Sequence, residues 1–156
     1  MTTANVVFSG PAEVVKPLME EAIIATGQTI MPGHLVIKSS GEYIVHGTAG
    51  VGGPYRIADM DFIRNGKVTD ALVADDTAQA FIPRVGETYN IVVGTSQTVV
   101  VDSPLTSNGN GTVKVATITG ATPDVVLFYA EEAVTTTGAT ARIRARVAHA
   151  GYKATA

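Results

Sequence analysis

"SPLTSNGNGTVKV", residues 103–115, is the stretch whose reading decides the fold. Its two Asn-Gly pairs, Asn108-Gly109 and Asn110-Gly111, sit between apolar and β-branched residues. Asn and Gly reach positive φ at low steric cost, which a hairpin reversal demands. The "TVKV" that follows resumes the alternation of a strand. The stretch therefore turns the chain and offers no charged ligand set. Working outward, Val (21), Ile (11) and Thr (20) supply one residue in three against five Leu. That balance favours pleated sheet over helix, so the expected class is all-β.

Short apolar or alternating runs recur between Gly, Pro, Asn and Asp, at the spacing of a β-sandwich or barrel. Strands are expected near 34–38, 42–46, 55–58, 78–82, 88–93, 98–102, 112–118, 124–130 and 141–147. Ser40-Gly41 fits a two-residue hairpin turn, which sets His46 opposite Leu35 and turns His34 to the other face. The segment 64–76, "RNGKVTDALVADD", has room for a single helical turn because Leu72, Val73 and Ala74 do not alternate with polar residues. Two stretches echo each other: "QTIMPGHLVIKSSGEYIV" (28–45) and "QTVVVDSPLTSNGNGTVKV" (97–115) both run Gln-Thr-apolar, Leu, a Ser/Gly turn and a strand. A duplicated hairpin and coincidence both account for the echo.

The chain of 156 residues suits one domain. Residues 26–150 are read as a β-barrel domain, and 151–156 as a C-terminal tail. Residues 1–25 are either a first strand packed on that domain or an extended arm lying on another subunit. Pro11 and Pro17 interrupt any long element there, yet Val6, Val7 and Phe8 are too apolar for a solvated tail.

Charge and composition exclude several classes. A net charge of −3 gives no basic field for nucleic acid. The absence of Cys removes disulfides and thiolate chemistry. The start lacks a secretory signal, and the longest apolar run, "VVLFYA" (125–130), is far short of the roughly 20 residues of a membrane span. A soluble, cytoplasmically made protein with no membrane partner is expected.

Motifs for chemistry fail in turn. "HGTAGVGGPYR" (46–56) lacks the Lys-Ser/Thr of a P-loop and opens no helix, so it reads as an inter-strand loop. "GTSQT" (94–98) lacks the closing Gly of a nucleophile elbow, which leaves Ser96 as a turn residue. His34 and His46 fall on opposite faces and cannot share a metal. Asp59 and Asp61 share a face without a calcium loop around them, and Glu131 and Glu132 point to opposite faces if their strand continues; solvated carboxylates are the expectation. No catalytic residue, metal site or cofactor is assigned.

The clearest pattern is "RIRARV" (142–147), a half-buried strand with Arg142, Arg144 and Arg146 on one face. The rail is either a charged solvent face that discourages aggregation or a docking stripe for acidic protein, its guanidinium groups about 6.8 Å apart.

The order of motifs resembles the head decoration, or capsid cement, proteins of tailed bacteriophages. Pro32-Gly33-His34-Leu35-Val36, the loop His46 to Gly50, Asp76 to Pro83, Gly86-Glu87-Thr88-Tyr89, the hairpin Asp102 to Thr112 and the strand Arg142 to Val147 follow that family's sequence of elements. The resemblance covers roughly 27–148; Val101 and Asp75 depart from the pattern, and the first 25 residues are unmatched. It implies a β-barrel or β-tulip module on the outer surface of a phage capsid, assembled in the host cytoplasm. It further implies a homotrimer that bridges major capsid protein subunits without touching nucleic acid. Val6, Val7, Phe8, Arg142, Arg144 and Arg146 are the interface candidates. The rival reading is a lectin-like binding module, against which the absence of Trp argues.

Overall fold

The computed structural model describes residues 7–10 and 17–149. Val6 and the tail 151–156 lie outside the described residues, as do 1–5, 11–16 and 150. The described chain contains fifteen strands and no helix. A short β1 (Phe8–Gly10) precedes seven strands: β2 (Leu18–Ile23), β3 (Thr29–Ile30), β4 (Leu35–Ser39), β5 (Glu42–Val45), β6 (Arg56–Ala58), β7 (Leu72–Val73) and β8 (Thr77–Ile82). Seven more follow: β9 (Thr88–Val93), β10 (Thr98–Val99), β11 (Pro104–Ser107), β12 (Val113–Val115), β13 (Phe128–Ala130), β14 (Val134–Thr135) and β15 (Ala141–Val147).

The two sets of seven repeat one unit. In the second, β9, β12, β11, β13 and β15 form a closed five-stranded barrel, because β15 pairs back onto β9. In the first, the order is β2-β8-β6-β4-β5, and its two ends meet through the parallel bridge Ile24↔Tyr43. That bridge is the counterpart of the parallel contact Val113↔Val93 between β12 and β9. Each unit carries a two-stranded ribbon, β3 with β7 and β10 with β14. The registers agree residue for residue: Val36↔Arg56 corresponds to Leu105↔Phe128, Ala58↔Ala80 to Ala130↔Ala145, and Ala22↔Ala78 to Ile91↔Ile143. One side-chain bond is also repeated: Val45 N–H donates to Gln28 Oε1 at 3.1 Å, and Val115 N–H to Gln97 Oε1 at 3.0 Å. The sequence echo at 28–45 and 97–115 is the legible part of this larger duplication. The barrel expected from composition is thus built twice.

Packing explains why some strands alternate and others do not. Val36, Ala58 and Ala80 face the interior of the first unit. Leu35, Ile57 and Phe81, one residue away on the same strands, join the core of the second unit with Tyr89 and Phe128. Strands buried on both faces read as continuous apolar runs. By contrast, β15 has only one buried face, formed by Ile143, Ala145 and Val147. Within the first unit, Glu20 on β2 accepts hydrogen bonds from Lys38 Nζ on β4 and Arg56 Nε on β6 at 2.6 Å or less.

The opening hairpin turns as expected. Ser107 pairs with Val113, and Gly109 and Gly111 hold φ of 84° and 82° in the loop between them. Ser40 and Gly41 make the predicted two-residue turn, with Ser39 opposite Glu42. Elsewhere the strands are shorter than expected. The run expected at 98–102 stops at Val99 because Asp102 takes φ of 65°, and the one expected at 124–130 begins only at Phe128. The helical turn considered for 64–76 does not form. Asn65 and Asp75 adopt φ of 56° and 68°, outside the helical region, and Leu72 and Val73 pair as β7.

The described strands of the N-terminal segment, β1 and β2, pair with strands of the same chain. β1 pairs antiparallel with β9, Phe8 opposite Tyr89, and Val7 is fully buried. Phe8 packs its ring 5.2 Å from Tyr89 and 5.9 Å from Phe81.

Candidate functional site

The arginine strand departs from a uniform rail. β15 is held between β13 and β9, so its odd-numbered residues fill the barrel and its arginines face outward. Arg142 is nevertheless half-buried: its Nη2 donates to Pro32 O at 2.6 Å and to Val68 O at 2.8 Å. Burial pushes its pKa down. It ties the second unit to the first and leaves the docking stripe, because the first unit covers that end of the strand. Arg144 remains on the solvent side with its side chain 46% exposed, donating from Nε to Glu131 Oε2 at 3.0 Å. Arg146 is exposed. The expected row of three guanidinium groups is a pair.

Glu131 and Glu132 do not point apart. β13 stops at Ala130, the alternation ends with it, and Glu132 Oε2 accepts the Arg144 backbone N–H at 2.9 Å beside the Glu131 bond. Of the interface candidates, Val7 belongs to the core of its own chain and Phe8 packs against it.

Each histidine has its own setting. His34 Nδ1 accepts the Met31 N–H at 3.2 Å, and burial, with Arg142 nearby, holds its pKa down at about 4. His46 is buried, and its Nδ1 lies 2.8 Å from Ser107 Oγ. His149 is exposed. Among the described residues, no group of three or more His, Cys, Asp or Glu side chains comes together as a metal site. Ser96 sits in a turn at φ of 58°, with its hydroxyl 3.4 Å from Thr137 O.

The Gly-rich segment 46–56 is a packed loop. Gly50 N–H donates to Ser107 O at 2.9 Å, and a Cβ at Gly50 would fall 2.1 Å from Asp124 Oδ1. Its Gly52-Gly53-Pro54-Tyr55 portion lines a groove of about 450 Å³ with Ile82, Val85 and other apolar residues. The one titratable side chain there is the Tyr55 phenol, pushed above its usual range by burial. Such a groove suits apolar contact.

Sequence reasoning missed Asp59. It was expected to be solvated, yet it is 2% exposed. It continues β6 on the face of Ile57, towards the junction of the units. Oδ1 accepts the Met60 N–H at 2.8 Å, whereas Oδ2 is buried without a partner. Burial raises its pKa to about 6. Asp59 lines a second groove, of about 260 Å³, with Val7, Phe8, Pro17, Met19, Phe62 and Phe81. Phe62 is 58% exposed and the neighbouring Ile63 81% exposed. The clue in the sequence was parity: extending the "RIA" strand by one residue puts Asp59 on the face of Ile57.

The whole arrangement is a duplicated barrel with apolar grooves and cationic side chains on its surface. It has a solved counterpart in the N base of the head fiber gp8.5 of bacteriophage phi29, with a TM-score of 0.52 and 14% sequence identity over 84% of this chain and 95% of that chain. The two share a fold. At that identity the likeness speaks for architecture, over nearly the full length of the fiber base. No protein-family model and no curated protein matches the sequence.

Proposed function

We propose that this protein is a structural component of a phage virion that binds the outer surface of the capsid and stabilises the shell by bridging neighbouring major capsid protein subunits. The observation that carries this reading is the fold shared with a phage head fiber base across 95% of that chain. The motif order of the decoration proteins, from Pro32-Gly33 to the Arg142–Val147 strand, points the same way. The protein acts by binding and not by catalysis. Arg144 and Arg146 supply the cationic contacts to acidic capsid surface.

The physics is linkage. A ligand that binds the assembled shell and not its separated subunits stabilises the shell by RT ln(1 + [L]/Kd) per site. A homotrimer engages three capsid sites together, so modest affinities multiply through effective concentration. Co-sedimentation of the full chain with purified phage heads tests the reading, alongside thermal release of packaged DNA. Binding and a raised release temperature are expected. Failure to bind heads, or saturable turnover of a small substrate, would remove it.

A further inference from the structure

We propose that the groove between β1 and β2 is a binding site for a lysine side chain of a partner protein, whose ammonium pairs with Asp59. Among the described residues that line the groove, Asp59 is the single polar side chain, with Phe8, Met19, Phe62 and Phe81 as walls. Its Oδ2 is buried and has no donor. An unpaired carboxylate in an apolar setting is costly, and a cation that reaches it recovers that cost. Aromatic rings also attract a cation through their faces, and an alkyl stem lies well along apolar walls. A volume of about 260 Å³ is below the range of drug-sized ligand pockets, roughly 300–1,000 Å³, and suits one side chain.

The molecule contains a filled version of the same position. Asp59 N–H donates to Gln79 O at 2.9 Å, and Glu131 N–H donates to Arg144 O at 2.9 Å. The two carboxylates therefore stand at corresponding places in the two units. Glu131 receives its cation from Arg144 on the adjacent strand. In the first unit Gln79 occupies the place of Arg144 and donates instead to Glu21 at 2.7 Å. Among the described residues, the first unit keeps the acid and lacks the base at this position. A lysine fits better than an arginine because Oδ1 already accepts the Met60 N–H. One free oxygen suits a point charge rather than a two-pronged guanidinium. The occupant comes from a protein because Phe62, one of the groove's walls, is 58% exposed and its neighbour in sequence, Ile63, is 81% exposed, which offers contact to the chain that carries the lysine. This assignment does not depend on the capsid reading.

The test is an amide NMR titration of the full chain with N-acetyl-lysine methylamide, and in parallel with its norleucine and arginine analogues. Saturable shifts of the Met60 and Phe62 amides are expected with the lysine compound. Response to the norleucine compound should be absent, and affinity for the arginine compound about tenfold lower, equivalent to roughly 1.4 kcal/mol. Asp59→Asn should abolish the response, while Glu131→Gln, at the corresponding place in the other unit, should leave it intact. Equal shifts with norleucine, tight binding of arginine, persistence in Asp59→Asn, loss in Glu131→Gln or no response to lysine would each overturn the proposal.

Discussion

At the scale of single residues, two buried titratable groups set opposite pH slopes in the same window. The carboxyl of Asp59 has its pKa raised from 3.8 to about 6 by burial. As pH climbs through that interval the unfolded chain ionises first, so stability falls and then levels off above about 6. His34 has its pKa lowered from 6.5 to about 4, chiefly by burial. As pH drops from about 6.5 towards 4 the unfolded chain protonates first, so stability is lost on the acid side. In the native protein the two slopes oppose each other. Asp59→Asn should therefore be more stable than wild type by about 1–2 kcal/mol near neutral pH, with the gain vanishing near pH 4, by urea denaturation across pH. His34→Gln keeps an acceptor for Met31 N–H and should show the reverse, gaining relative to wild type only as pH falls. A flat difference for either variant would refute the assigned titration. Arg142 acts through geometry: its Nη2 holds two carbonyls of the other unit, and Arg142→Gln should cost about 1–3 kcal/mol. Arg144→Gln, removing an exposed pair, should cost at most about 1 kcal/mol.

At the scale of elements, legibility followed the number of buried faces. β9 and β15 were readable to the residue because β15 alternates and β9 is a β-branched run ended by Gly94. The two-residue strands β3, β7 and β14 carry too few residues for any period. They form because a partner strand meets them, which no local pattern announces, whereas β10 is the start of the run expected at 98–102. The carboxylates were misjudged for the same reason: the surroundings of Asp59 and Glu131 are set by where β6 and β13 stop, and strand ends are the weakest part of a pattern argument. β1 shows how a short strand is fixed by tertiary contact. Phe8 packs its ring edge-on to Tyr89 and tilted against Phe81, so Phe8→Ala should destabilise the fold by about 2–3 kcal/mol. Removal of residues 1–10 would remove Val7 from the core as well. Capsid binding by a truncated chain is interpretable only when the cut leaves Val7 in place.

At the scale of the whole molecule, the two units are copies in topology but not independent in energy. Each copy encloses its own apolar interior, yet Leu35, Ile57 and Phe81 of the first unit are counted in the core of the second. Backbone bonds cross the junction too, from Val92 N–H to Gly33 O and from Leu35 N–H to Gly111 O. Gly33 is required there: it holds φ of 87°, and a Cβ would lie 2.7 Å from Asn90 O. Separate barrels joined by a linker would unfold in two steps, each with a slope set by its own exposed surface. A shared core couples them into one transition. Phe81→Ala isolates this coupling, since Phe81 sits on a first-unit strand while its ring lies beside Tyr89 of the second. The variant should lose about 3–5 kcal/mol, with the fluorescence of the tyrosines in both units changing at one lowered urea midpoint. Two separated midpoints, or a loss confined to the signal of one unit, would show that the copies fold alone and that the duplication is only an arrangement in space.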